Sequence, residues 1–295
     1  MTHKNQFIRI ITLGLVVLFL SLAGCAVKKP MWGDQKTGFI LKYSIAPDQI
    51  LNYKKVIAEN QTMEMMGQSM ETLKNINMDY SIKGTGTDNL NNLLAQVNIN
   101  DLNINMKGME GERDLNTSGL KGKSFGISFS QKGMETDFIG IDSIPKIDFG
   151  QMSGGEQSVQ NILSNPFKDL SDRPIKVGET WTDQKEYKVQ QGSLDLTFSV
   201  ELTNVLEGLE TIKGMECARI KTQEKGTITG TGNNMGMELK YKGDLNSTYT
   251  WYFAYKEGLF VKGEGDEGVD ANIAVGGMGD IPIVTKTKTE TELIL

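Results

Sequence analysis

Histidine is nearly missing from this chain. Of 295 residues only His3 carries an imidazole. Everything after the first few residues therefore lacks Ser-His-Asp and Cys-His catalysis and the usual zinc sites. Cysteine is almost as scarce, with Cys25 and Cys217 alone. Basic residues are outnumbered, 31 Lys and Arg against 37 Asp and Glu, and nowhere do they cluster. That excludes nucleic acid as a partner and gives no electrostatic grip on anionic lipid. Six prolines stand beside 33 glycines, a balance that suits many turns between extended segments. A hydrophobic content of 38% is modest but enough for a folded core. Helical periodicity is rare.

One long apolar run does occur. Lys4 and Arg9 precede it, Ile10 to Leu22 is almost wholly apolar, and Ala23 and Gly24 follow. A positive start, a short apolar core and a small-residue exit make a secretory signal. The run is too short for a permanent span, which needs roughly 20 residues. The stretch Leu22-Ala23-Gly24-Cys25 resembles the bacterial lipobox. The resemblance implies diacylglycerol attachment to the Cys25 sulfur, cleavage before Cys25 and acylation of the new amine. Acyl chains bury about 0.8 kcal/mol per methylene, and several of them hold a protein stably on a bilayer. Ala26, where an Asp would retain enteric lipoproteins, favours the outer membrane, facing the periplasm. The expected organisation is a signal peptide at 1–24, a lipidated tether at 25–36 and a β domain at 37–295. Cys217 is then the sole free thiol and no intramolecular disulfide is expected. It sits in a strand-like stretch, Met215 to Ile220, as a small apolar side chain.

Past the tether the chain alternates with period two, the mark of strands with one face on a core and one face wet. Ser124 to Ser130 alternates strictly, as does Leu194 to Leu202. Ile76, Met78, Tyr80 and Ile82 alternate with Asn77, Asp79 and Ser81. Such strands suit antiparallel sheets. Between Val97 and Met106 the apolar positions switch from odd to even, which predicts a β-bulge near Asn100-Asp101 or a break. Residues 51–66 and 70–83 are expected as two long strands around Gly67-Gln68. A short helix is expected near 158–170, with Val159, Ile162 and Leu163 on one face. Pro174 and Gly178 interrupt the pattern before Trp181, and the strand succession then restarts. Gly84 to Asn89 is echoed by Gly230 to Asn234, a hint of two similar halves meeting near 171–180. In the C-terminal segment Ile281, Ile283, Thr285, Thr287, Thr289, Thr291, Leu293 and Leu295 share one parity. Lys286, Lys288, Glu290 and Glu292 share the other. The odd face is expected inward, because a buried unpaired charge costs several kcal/mol. The fold class is mainly β, with long curved antiparallel sheets in a half-barrel or open barrel.

The segment Pro174 to Trp181 and the later Gly214-Met215-Glu216-Cys217 resemble a group of uncharacterised bacterial lipoproteins. Their outline is similar to the LolA/LolB-like half-barrels, whose curved sheet wraps an apolar cavity. That likeness is architectural and transfers no activity residue by residue.

Three stretches carry candidate chemistry. Gly263 to Asp270 packs carboxylates among glycines, but its spacing misses the EF-hand calcium loop, and it reads as an acidic hairpin. Met63, Met65, Met66 and Met70, with Met235 and Met237, offer thioethers to Cu(I); without histidine beside them they read as core or apolar ligand surface. Tyr249, Trp251, Phe253 and Tyr255 share a strand face, as sugar platforms and sheet cores both do, and the core reading is preferred. Carboxylates abound, yet no spacing singles out a pair for glycoside cleavage. No catalytic residue, metal ligand or cofactor site is therefore assigned, and the one assigned site is lipidation at Cys25. The leading expectation is a non-enzymatic envelope lipoprotein binding an apolar or amphiphilic ligand in a concave sheet. The alternative is an adaptor that presents edges or loops to another envelope protein over a filled core. An envelope hydrolase is disfavoured by the missing histidine.

Overall fold

The computed structural model describes residues 31–65, 67–150, 155–163, 167–234, 237–276 and 279–295. The chain opens with two short strands, β1 (Gly33–Asp34) and β2 (Gly38–Phe39). Three long ones follow, β3 (Ile50–Met65), β4 (Gln68–Thr87) and β5 (Leu93–Gly108), then the short β6 (Gly111–Asp114), β7 (Ser124–Phe129) and β8 (Glu135–Ile139). A connecting segment holds β9 (Ile147–Asp148), β10 (Glu156–Gln157) and one helical turn, α1 (Val159–Leu163). Six long strands complete it: β11 (Thr180–Gln191), β12 (Leu194–Ile212), β13 (Met215–Asn234), β14 (Met237–Ala254), β15 (Leu259–Val275) and β16 (Gly279–Ile294).

Twelve of these strands form one antiparallel sheet in the order β11-β12-β13-β14-β15-β16-β3-β4-β5-β7-β8, with β6 also on β5. The last strand pairs with the first long one, β16 with β3, so distant parts of the sequence are neighbours. The sheet does not close into a barrel; β8 and β11 are its two edges. Among the described residues no helix is long and apolar enough to cross a membrane.

Period-two sequence becomes a two-faced sheet. In β5, Val97 and Ile99 are buried, and then Leu102, Ile104 and Met106. The phase change is a bulge: Asp101 faces Asp79 and Ile99 faces Tyr80, leaving Asn100 as the extra residue. Four further irregularities, at Gly84/Gly86 in β4, Ser128/Phe129 in β7, Leu206/Gly208 in β12 and Tyr252/Phe253 in β14, add curvature. Tight bending also needs room on the concave face. The Tyr249 ring lies across Gly263 and Gly265 of the neighbouring strand, where an added Cβ would sit 2.6 and 2.2 Å from ring atoms.

At one end, here called the base, the concave face is filled. Phe39, Leu41, Tyr43 and Ile45 enter from the N-terminal side, and the segment between β8 and β11 lays Ile147, Phe149, Ile162, Leu163 and Phe167 over the sheet. Phe129 and Phe167 stack with ring centroids 3.7 Å apart. The Tyr43 hydroxyl accepts from the Lys168 amide at 2.8 Å and meets its carbonyl at 3.1 Å. The Lys55 ammonium donates to the Ile162 and Leu163 carbonyls, at 2.8 and 2.9 Å. Each such charge-assisted bond is worth about 1.5–3 kcal/mol, against several kcal/mol to strip the ammonium of water. Lys55 thus sets the register of α1 on the sheet more than it adds stability.

The structure corrects two expectations. The acidic stretch 263–270 is no hairpin; it lies inside β15, fully paired with β14 and β16. β15 runs on to Val275 and β16 begins at Gly279, and the glycines at 263 and 265 make room for the Tyr249 ring rather than a bend. The helix is shorter than expected, one turn at Val159–Leu163, with its three apolar residues buried as foreseen; residues 167–170 have no helical hydrogen bonding. The two long strands around Gly67-Gln68 are β3 and β4. Tyr249, Trp251 and Phe253 point into the concave face, and Tyr255 turns off the strand end to pack edge-on against Phe39.

Candidate functional site

Above the filled base the concave face is lined by polar and charged side chains. The strand registers align Glu224, Ser247, Glu267, Thr287, Glu59 and Lys74 in one transverse row across β13, β14, β15, β16, β3 and β4. All six occupy inward parities, because each strand alternates and each neighbour is in step. One step toward the base the row reads Thr222, Tyr249, Gly265, Thr289, Ile57 and Ile76. One step away from it come Gly226, Leu245, Val269 and Thr285. Thr287, Thr289 and Thr291 therefore point inward, as the parity of the C-terminal segment predicted, while Leu295 ends beyond the strand, exposed.

This belt surrounds a cavity of about 350 Å³. The connecting segment forms its other wall through Phe149, Asn161, Phe167, Lys168 and Asp169, and β11 contributes Lys185, Tyr187 and Val189. Two of its lysines are paired. Lys74 Nζ lies 2.7 Å from Glu59 Oε1, and Lys185 holds Asp169. Lys168 is different: its Nζ sits 4.3 Å above the Tyr249 ring centroid and has no hydrogen-bond acceptor among the described residues. Glu224 and Glu267 make no hydrogen bond and no ion pair among the described residues.

Burial sets the protonation equilibria. It pushes the Glu267 carboxyl up to about 7, with the nearby charges of Glu224 and Glu59 adding to the effect. Glu224 is raised as well, by burial against the opposing pull of Lys168. Burial brings Lys55 down to about 7 and lowers Lys168, for which Glu224 is the main compensating charge. Glu135, on the β8 edge, is also raised to about 7 by burial, and its Oε1 has no partner among the described residues.

Beyond the belt the same face is apolar again. Leu196, Val200, Ile228, Leu245, Val269 and Ala271 form a second buried cluster. Tyr187 and Phe198 stack beside it at 4.9 Å, and Tyr187 also lines the cavity. Along the strands the concave face thus runs apolar, charged, apolar. Among the described residues Ser247 has no hydrogen bond to an acid or base.

The lipidation residue, Cys25, lies outside the described residues. Cys217 is fully buried in β13, its Sγ toward the Met215 carbonyl at 3.5 Å, and burial pushes the thiol up to about 11. Met63 faces Met70 across β3 and β4, beside Ile283, in an apolar row; Met66 and Met235 lie outside the described residues. Among the described residues no group of three or more His, Cys, Asp or Glu is placed to hold a metal. The sequence reading did not single out Lys55, Lys168, Glu224 or Glu267. The available signal was a charge on an apolar parity: Lys55 continues Leu51 and Tyr53, and Glu267 leads to Val269 and Ala271.

No protein-family model matches the chain, and no curated protein does. Among solved structures, lipovitellin, from a structure of its lipid–protein interactions, aligns with a TM-score of 0.45 at 11% identity over 85% of this chain. The chain spans 26% of that lipovitellin chain, about a quarter of its length. The Pseudomonas aeruginosa protein OccK11 (OpdR) aligns with a TM-score of 0.23 at 8% identity, over 88% of this chain and all of its own. A DUF1329 family protein from Desulfovibrio piger aligns at 0.14 with 9% identity, over 82% of this chain and 86% of its own. At this similarity none of them bears on what the chain binds.

Proposed function

We propose that this protein is a lipid-anchored, non-enzymatic envelope lipoprotein that holds an amphiphile in its concave sheet. The reading is supported by one observation above all, the apolar-charged-apolar order of the concave face around a cavity of about 350 Å³. Ligand sites typically span about 300–1,000 Å³, mostly apolar with a few convergent polar groups. A purely structural core would gain nothing from half-burying Glu224, Glu267 and Lys168 without partners among the described residues, because charges of that kind are costly to desolvate. Diacylglycerol on Cys25 would tether the sheet to the outer membrane, facing the periplasm, within reach of lipid.

The test is extraction. The full-length protein, purified from membranes and washed through a non-lipid surfactant, is denatured and its organic extract is analysed by mass spectrometry. A stoichiometric amphiphile is the expected finding. If none is recovered, and added fatty acids or phospholipids leave the melting temperature unchanged, the adaptor reading takes its place.

A further inference from the structure

The proposed amphiphile-binding reading leaves the head group open, and the belt is specific about it. After the pairs Lys74–Glu59 and Lys185–Asp169, the carbonyl-bound Lys55 and the outward-facing Asp266 are set aside, three charged groups on the cavity wall have no hydrogen-bond or ion-pair partner among the described residues. Two are acceptors: Glu224 and Glu267, separated in their row by Ser247 alone. Two strand spacings put their backbones about 9–10 Å apart, so both carboxylates flank one pocket. The third is a donor. Lys168 stands on the opposite wall, its ammonium facing the Tyr249 ring with no oxygen to donate to among the described residues. Thr287 and Thr289 offer hydroxyls between them. Leu202, beside Glu224 in the belt row, and Tyr187 and Val189 farther from the base lead from the cavity toward the second apolar cluster.

We propose that the belt is a head-group subsite for a zwitterionic amphiphile of the aminoethyl-phosphate type, its primary ammonium between Glu224 and Glu267, its phosphate on Lys168 and its chain against Tyr187, Val189 and Leu202. A purely anionic head would satisfy Lys168 but force two carboxylates against its own charge. A quaternary ammonium would bring charge without the N–H donors the carboxylates lack. A simple cation would leave Lys168 unmet. The ammonium–phosphate combination satisfies all three groups. Burial holds Glu267 near neutrality at about 7, so an arriving ammonium ionises it readily. The volume, about 350 Å³, admits one head and the first part of one chain, with the remainder lying along the open trough.

The inference rests on the amphiphile-binding reading, and the test separates the two. Full-length protein is reconstituted in phosphatidylcholine vesicles carrying trace single-chain probes, each with a photoactivatable group in the chain. Their heads are phosphoethanolamine, phosphoglycerol or a bare carboxylate. Cross-links are counted by mass spectrometry on peptides from β11, β12 and β15. The expected result is labelling by the phosphoethanolamine probe about tenfold above the others, the factor that about 1.4 kcal/mol gives. The double variant Glu224→Gln, Glu267→Gln and the single variant Lys168→Met should each lose that preference. Glu264→Gln, on the outer face of the same strand, should keep it. Melting curves of every variant, together with labelling by the carboxylate probe, show whether the sheet is intact. Equal labelling by all three heads, or a preference that survives the double variant in a folded protein, overturns the head-group assignment and leaves amphiphile binding standing. Absence of labelling on the concave face with every probe overturns both.

Discussion

Replacing Glu267 with glutamine should change how stability depends on pH. The Glu267 side chain faces Glu224, Glu59, Lys168 and Lys55 across the cavity, and burial lifts its folded-state value from 4.5 to about 7. The unfolded chain keeps the ordinary value. Between those two values the unfolded state has lost its proton while the folded state retains it. Stability is therefore fully present below 4.5 and falls as pH rises to about 7. At about 1.4 kcal/mol per pH unit, the gap is worth about 3 kcal/mol. Glutamine has the shape of the protonated acid and does not titrate. The variant should match wild type at pH 4, then exceed it by about 3 kcal/mol at pH 8, where wild type holds a buried carboxylate. Urea midpoints of the two proteins between pH 4 and 9, with the denaturation slope checked at each point, measure this. A stability difference that stays constant across the range would refute the claim that Glu267 is held protonated by burial.

Other consequences are more local. Thr222 Oγ1 bonds Asn204 Oδ1 at 2.6 Å and accepts from Trp251 Nε1 at 2.9 Å, all within the core; Thr222→Val leaves both partners unmet and should cost about 2–3 kcal/mol, read from urea denaturation. Gly265→Ala places a Cβ 2.2 Å from the Tyr249 ring, which should displace the ring and cost about 1–3 kcal/mol, with a matching change in near-ultraviolet circular dichroism. Cys25→Ser should abolish acylation and release the protein from the membrane fraction, as intact mass and fractionation will show. Retained acyl mass on that variant would remove Cys25 from the role.

Much of the fold can be read without coordinates. The parity of Val97 and Ile99 against Leu102, Ile104 and Met106 demands a bulge, and the bulge is at Asn100. The parity of Thr287, Thr289 and Thr291 against Lys286, Lys288 and Glu290 assigns the inner face of β16. These are local properties: a strand exposes alternate residues to opposite sides, and charge avoids the dry side. The same reasoning missed the belt. Glu59, Glu224 and Glu267 come from three strands and meet only because β13 to β16 pair in their observed registers and β16 then pairs with β3. Register and strand order depend on long-range contacts that no local pattern encodes. The stretch 263–270 shows the difference in one place. Its composition reads as a turn because glycine and acid are common in turns. Flanked by β14 and β16, the same glycines make space for the Tyr249 ring, Glu264 and Asp266 face water, and Glu267 faces the cavity. Alternation along the chain determined which side each residue takes; the pairing of strands far apart in sequence decided which of those residues share a site.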